Sequence, residues 1–96
     1  MKKILTTLIA FLLSTSFSFA GDHKANIIVV THGSDTDAFW GVVRNGVEAA
    51  KKDTGADVQY RNPPTGDLNE MASLIEAAIA QKPDGIVVSI PAPDIL

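Results

Sequence analysis

Three strand-like segments recur along this chain, at residues 27–30, 57–61 and 86–90. The two stretches between them carry apolar residues at helical spacing. The strand centres are about 30 residues apart, which is the spacing of consecutive βαβ units. Such units form parallel sheets with right-handed crossovers. The sequence therefore predicts an α/β fold in the order strand, helix, strand, helix, strand.

Residues that favour helix ends mark both predicted helices. The polar residues 34–37 precede the first helical stripe, and Gly55 follows it as expected for a left-handed C-terminal cap. Asp67 precedes the second stripe, and Pro83 stops that helix because proline cannot continue it. The run at 86–90 then predicts a third, buried strand.

The first 20 residues differ from the rest in charge and hydropathy. Lys2 and Lys3 precede an apolar stretch at 4–13, and the small-residue segment 14–20 ends at Ala20. This pattern predicts a secretory signal peptide cleaved after Ala20. A transmembrane anchor is the alternative, but it needs about 20 apolar residues, and this stretch is shorter. We therefore expect residues 21–96 to be exported, to a bacterial periplasm.

The charge of the exported part excludes several kinds of partner. Residues 21–96 carry six of the eight basic residues and all 11 acidic ones, a net charge of −5. So acidic a surface disfavours nonspecific binding to nucleic acid or to anionic membranes. The chain has no cysteine, which excludes disulfides, thiol catalysis and cysteine-based metal sites.

In open α/β sheets, ligands bind outside the carboxyl ends of the strands. Segments 31–40, 62–67 and 89–94 lie at such ends. The first contains Phe39 and Trp40, adjacent on a helix, so both rings cannot point into the same core. Sugars stack their C–H faces on such rings and hydrogen-bond through their hydroxyls to carboxylates and amides. The segment therefore indicates sugar binding, with core packing of Phe39 as the alternative.

Other chemistries find less support in the same segments. The chain has neither a dinucleotide-binding glycine motif nor a phosphate-binding loop. The Asp35-x-Asp37 pair is weakly similar to a phosphatase aspartate pair, and Thr31-His32-Gly33 to a histidine phosphatase. Neither histidine has a second ligand at metal spacing. We expect no catalytic residue, metal or cofactor, and an exported α/β hydrolase or phosphatase remains an alternative.

Together these features resemble the start of the type 1 periplasmic binding proteins. These are the ribose-binding-like, LacI-related substrate-binding subunits of sugar ABC importers. The resemblance covers residues 26–96 and rests on the strand IIVVT, the pair Phe39-Trp40 and the run QKPDGIVVS at 81–89. It implies that residues 21–96 form the first half of the N-terminal lobe of a two-lobed protein. Three strands and two helices alone bury little apolar surface, which agrees with a larger parent domain.

The resemblance also implies roles for individual residues. Phe39 and Trp40 match the aromatic pair that stacks on the sugar, and Asp37 matches a hydrogen-bonding position. Ile90 stands where the ribose-binding branch has asparagine, so Ser89 is the nearest polar residue for a ligand contact. The predicted substrate-binding residues are therefore Asp37, Phe39, Trp40 and Ser89.

The resemblance implies that the intact protein is a periplasmic, monomeric, non-enzymatic carrier. It would bind a small sugar or polyol between its lobes and deliver it to an ABC permease in the inner membrane. A sensing relative, of the autoinducer or chemoreceptor type, has the same fold and stays an alternative. A cytoplasmic repressor of the related fold is disfavoured by the signal peptide and by the lack of a helix-turn-helix.

Overall fold

The computed structural model describes residues 24–96. The predicted signal peptide and its cleavage site lie outside the described residues. The elements follow the predicted order: β1 (Asn26–Val30), α1 (Ala38–Thr54), β2 (Asp57–Arg61), α2 (Leu68–Ala80) and β3 (Gly85–Val88). The predicted α/β class is thereby confirmed.

The three strands form one parallel sheet in the order β2-β1-β3, with β1 in the centre. In register, Val29 of β1 lies beside Tyr60 of β2 and Val87 of β3. Because side chains alternate along a strand, these three residues share one face of the sheet. Their neighbours Ile28 and Val30 share the other face. The parallel arrangement brings all three carboxyl ends to one edge, called here the carboxyl edge.

The apolar core lies on the face that α2 covers. Ile28 and Val30 are fully buried there, together with Met71 and Ala78 of α2. Half-buried apolar side chains surround this cluster: Leu68, Leu74, Ile75, Ile86, Val88 and Leu96. Burial of such side chains stabilises a fold by about 1.5–3 kcal/mol each.

The opposite face is packed less completely. Helix α1 packs on this face mainly along β2, and none of its residues, all within the described range 24–96, is buried. Val42 of α1 is 70% exposed, and Val87 at the β3 end of the same face is 55% exposed. The α1 face is therefore a partly open surface.

The predicted helix caps are confirmed. Asp37 is the N-cap of α1, and its side chain accepts a hydrogen bond from the backbone N–H of Phe39. Gly55 ends that helix at φ 72°, a left-handed conformation that glycine adopts without steric cost. Asp67 caps α2 in the same way, accepting from the backbone N–H of Asn69. These local signals explain why the helices begin where the sequence indicates.

The third strand departs from the prediction in its bounds and its burial. It spans Gly85–Val88, so it begins one residue earlier and ends two residues earlier than predicted. Ser89 still donates its backbone N–H to the carbonyl of Val30, at 3.2 Å. Pro91, which has no N–H, follows two residues later, so the chain leaves the sheet there. Among the strands of residues 24–96, β3 lies beside β1 at one side of the sheet and Val87 is exposed, because β1 and not β3 is at the centre.

Candidate functional site

The loop of residues 31–37, between β1 and α1, is fixed at the carboxyl edge by the loop that follows β2. The Asn62 side-chain amide donates to the Gly33 carbonyl at 2.8 Å and to Oδ1 of Asp35 at 2.9 Å. The backbone N–H of Asp35 also donates to the carbonyl of Pro64, at 2.9 Å. These bonds hold the backbone that leads into the predicted aromatic pair.

Arg44 of α1 completes this cluster from the helix side. Its Nη2 donates to Oδ1 of Asn62 at 3.1 Å and lies 3.8 Å from Oδ1 of Asp35. Its guanidinium carbon lies 5.1 Å from the ring centroid of Tyr60, in cation–π geometry. The Asp35 carboxylate is mostly exposed, so the ion pair itself contributes little. The cluster of Asp35, Arg44 and Asn62 is called here the loop anchor.

Trp40 packs directly against the backbone of Gly33. A Cβ built on Gly33 would lie 2.1 Å from Cγ of Trp40, closer than any real contact, so only glycine fits there. The Trp40 ring also meets the ring of His32 edge to face, with centroids 4.7 Å apart. Trp40 is half-buried as a result. The first helical turn thereby holds this indole at the carboxyl edge.

Phe39 projects away from the core of the described residues. Its side chain is 65% exposed, so the alternative that it packs into that core is wrong. Its ring stands at 87° to that of Trp40, with centroids 5.1 Å apart. Such an edge-to-face pair is favourable for the ring quadrupoles. The two rings present differently oriented apolar surfaces beside the carboxyl edge.

Asp37 lies at the same corner, as the N-cap residue two positions before Phe39. Its Oδ1 accepts the N-cap bond from Phe39 at 3.0 Å, whereas its Oδ2 makes no hydrogen bond within residues 24–96. The side chain is exposed. The N-cap role is observed, and a free carboxylate oxygen remains for a further acceptor contact.

Ser89, the fourth predicted binding residue, is bonded to His32. Its Oγ accepts from the backbone N–H of His32 at 2.9 Å and lies 2.8 Å from His32 Nδ1. Beside them the hydroxyls of Thr31 and Tyr60 hydrogen-bond at 2.6 Å. Sequence reasoning did not identify the His32–Ser89 contact, because the partners are 57 residues apart. The signal for it is the strand order, since both residues follow neighbouring strands.

The structure thus brings Phe39, Trp40 and Asp37 together on one corner, and links Ser89 to that corner through His32. Within residues 24–96, no group of three or more histidine and acidic side chains is arranged to hold a metal ion. Over the same range, neither helix has the length and apolarity that crossing a bilayer requires.

Comparison with known proteins agrees with this architecture. The family described as "Periplasmic binding protein domain" matches residues 27–96. The chain belongs to this family, whose members are binding proteins and not enzymes. No curated protein matches the chain.

Solved structures similar to the chain include two sugar-binding proteins. One is a carbohydrate transporter from Acidothermus cellulolyticus 11B in complex with myo-inositol, with a TM-score of 0.69 and 36% identity. It matches over 77% of this chain and 25% of its own length. The other is GanP, a glucose-galactose binding protein from Geobacillus stearothermophilus, with a TM-score of 0.60 and 30% identity. It matches over 67% of this chain and 23% of its own length. The chain therefore spans about a quarter of either relative.

Proposed function

We propose that this chain is part of the substrate-binding component of an ABC importer for a small sugar or polyol. The protein would bind its ligand between two lobes and deliver it to a permease in the inner membrane. Residues 21–96 would form the first part of the N-terminal lobe. The full-length protein, meaning the protein that contains this complete lobe and its partner lobe, is expected to be a monomer.

The observation that carries this proposal is the perpendicular pair formed by the exposed Phe39 and the half-buried Trp40 at the carboxyl edge. A solvent-exposed phenyl ring gains no burial free energy from folding, so covering it with a ligand is favourable. The C–H face of a sugar or an inositol is a surface of suitable size and polarity for such a ring. The two similar structures come from proteins whose described ligands are myo-inositol, glucose and galactose.

The polar residues at the corner supply the second requirement of carbohydrate recognition. Sugar hydroxyls need acceptors and donors in fixed positions. Oδ2 of Asp37 offers an acceptor, and its N-cap bond fixes the carboxylate in place. The loop anchor holds the preceding backbone, so the ligand does not have to order it on binding. Such preorganisation reduces the entropic cost of association.

Export and lobe closure complete the proposal. The predicted signal peptide, cleaved after Ala20, would send the protein to the periplasm. Ligand binding between the lobes would select a closed form by hinge motion, and the permease would recognise that form. The protein would carry out no reaction on its ligand.

Binding measurements on the full-length protein test the proposal. The mature protein is titrated calorimetrically with myo-inositol, glucose and galactose, and separately assayed for hydrolysis of p-nitrophenyl esters and phosphates. We expect saturable binding of at least one sugar or polyol and no turnover. Failure of every sugar and polyol to bind would contradict the proposal, and ester or phosphate turnover would favour the exported hydrolase.

A transport assay separates the importer from a sensing relative. A strain that lacks the gene is tested for uptake of the ligand identified by titration. We expect uptake at low ligand concentration to fall and to return with the wild-type gene. Unchanged uptake alongside tight binding would favour the sensing protein.

A further inference from the structure

His32 lies beside the Trp40 ring, and the Ser89 hydroxyl is hydrogen-bonded to His32. We propose that Nε2 of His32 donates or accepts a hydrogen bond with a ligand hydroxyl, and that Ser89 is a positioning residue without ligand contact of its own. This inference rests on the proposed function and adds a polar specificity contact to that site. It also changes the role expected for Ser89, from direct binding to support of the imidazole.

Both side-chain hydrogen bonds of Ser89 are made to one residue, His32. Oγ accepts from the backbone N–H of His32 at 2.9 Å and lies 2.8 Å from Nδ1 of the same residue. A hydroxyl provides one donor and two acceptor positions. Two of these three positions are therefore committed to His32. The pair of bonds restrains both the backbone and the side-chain torsions of His32, and so fixes the direction of its ring.

The other ring nitrogen of His32 is available to a ligand. Nε2 makes no hydrogen bond within residues 24–96. In that same range the one buried side-chain polar atom without a partner is Oδ1 of Asn26. Nε2 of the half-buried His32 also has no partner in this part of the chain, but it is not among the buried atoms without one. Nε2 is therefore accessible to solvent.

The His32 ring adjoins the surface on which the ligand is proposed to stack. Its centroid lies 4.7 Å from that of Trp40, and the two planes meet at 69°. Gly33 brings the backbone into contact with the Trp40 side chain, next to the imidazole. A polar ring atom beside an aromatic stacking surface suits a ligand with an apolar face and hydroxyls around its rim. Sugars and cyclic polyols have this chemistry.

A set of matched variants tests the two roles in the full-length protein. His32→Asn keeps an amide near the Nδ1 position but has no atom at Nε2, whereas His32→Gln places its amide near Nε2. Ser89→Ala removes the supporting hydroxyl, and Ser89→Thr keeps it. Affinity is measured by calorimetry for whichever of myo-inositol, glucose and galactose binds the wild type, and for its mono-deoxy derivatives. Thermal unfolding without ligand checks that each variant folds.

We expect His32→Asn to weaken binding about tenfold, as loss of one hydrogen bond to a ligand does. His32→Gln and Ser89→Thr should stay within about threefold of the wild type. Ser89→Ala should weaken binding about fivefold, but should have no further effect when combined with His32→Asn. One deoxy derivative should bind the wild type more weakly than its parent and bind His32→Asn as well as the parent does.

Two results would overturn the inference while leaving the proposed function intact. One is wild-type affinity in His32→Asn. The other is an undiminished effect of Ser89→Ala in the His32→Asn background, because that effect would place Ser89 itself on the ligand. A wild-type protein that binds no sugar or polyol would instead refute the proposed function on which the inference rests.

Discussion

On one face of the sheet, α2 places Met71 and Ala78 against Ile28 and Val30, and all four are fully buried. On the other face, α1 has no buried residue in the described chain. It is held at the carboxyl edge by the loop anchor and by the contact of Trp40 with Gly33. The α2 face is closed by apolar packing, whereas the α1 face leaves aromatic and polar groups accessible.

This difference separates two tasks within one small sheet. The α2 face supplies stability, since the side chains at its centre are apolar and fully buried. On the α1 face, hydrogen bonds and a glycine contact fix the positions of side chains without covering them. Substitutions on the α2 face should therefore change the free energy of unfolding, and substitutions at the carboxyl edge should change ligand affinity.

The largest loss of stability is expected for Met71→Ala. Removing a fully buried side chain from the core costs about 2–5 kcal/mol, through lost transfer energy and the cavity left behind. Urea denaturation of the full-length protein, followed by circular dichroism, measures the change. Ligand affinity of the folded variant should be unchanged within about twofold. A loss of affinity comparable to the loss of stability would mean that the two faces are not independent.

The next largest effect is expected for Gly33→Ala, which should affect both properties. The added methyl group would lie 2.1 Å from Cγ of Trp40, so the indole must move. We expect a loss of about 1–3 kcal/mol in stability, as for an overpacked site, together with a loss of ligand affinity. Gly46→Ala is the matched control, since nothing lies within 4 Å of a Cβ at that helical position. Normal ligand binding by Gly33→Ala would show that the position of Trp40 is not critical.

A smaller effect is expected when the loop anchor is weakened. Asn62→Asp keeps an acceptor for Arg44 but loses the donors to Gly33 and Asp35, and it places a second carboxylate beside that of Asp35. Loss of these bonds should cost about 1 kcal/mol and lower ligand affinity several-fold, because the loop must then be ordered on binding. The same denaturation and calorimetric measurements apply. An unchanged affinity would contradict the preorganisation of this loop.

The helices and strands could be predicted from local signals in the sequence. The site could be predicted only in part, because some of its contacts join residues that are far apart in the chain. Asp37, Gly55 and Asp67 mark helix ends through bonds to neighbouring residues, so a short stretch of sequence contains the whole interaction. The end of β3 was predicted wrongly because it depends on Pro91 and on the place of β3 beside β1 in the sheet. Strand order is a property of the whole fold and cannot be predicted from any one segment.

The same reasoning explains which parts of the site escaped prediction. Phe39 and Trp40 were recognisable as adjacent aromatic residues at a strand-to-helix junction, and the structure places both at the carboxyl edge. The bond between His32 and Ser89 depends on β1 and β3 being neighbours, which only the assembled sheet specifies. The assignment of Asp37, Phe39 and Trp40 as binding residues remains a prediction, as does the direct contact first predicted for Ser89, for which the supporting role proposed above is the alternative.

The central claim is tested most directly by the affinity of Phe39→Ala for the sugar or polyol that binds the full-length protein. Phe39 is 65% exposed, so its loss should change stability by at most about 1 kcal/mol, through the edge-to-face contact with Trp40. Ile79→Ala on α2, at 59% exposure, is the matched control away from the site. We predict about a tenfold weaker Kd for Phe39→Ala and an unchanged Kd for Ile79→Ala. Equal affinities for both variants and the wild type would contradict the claim that Phe39 and Trp40 form the sugar-stacking surface.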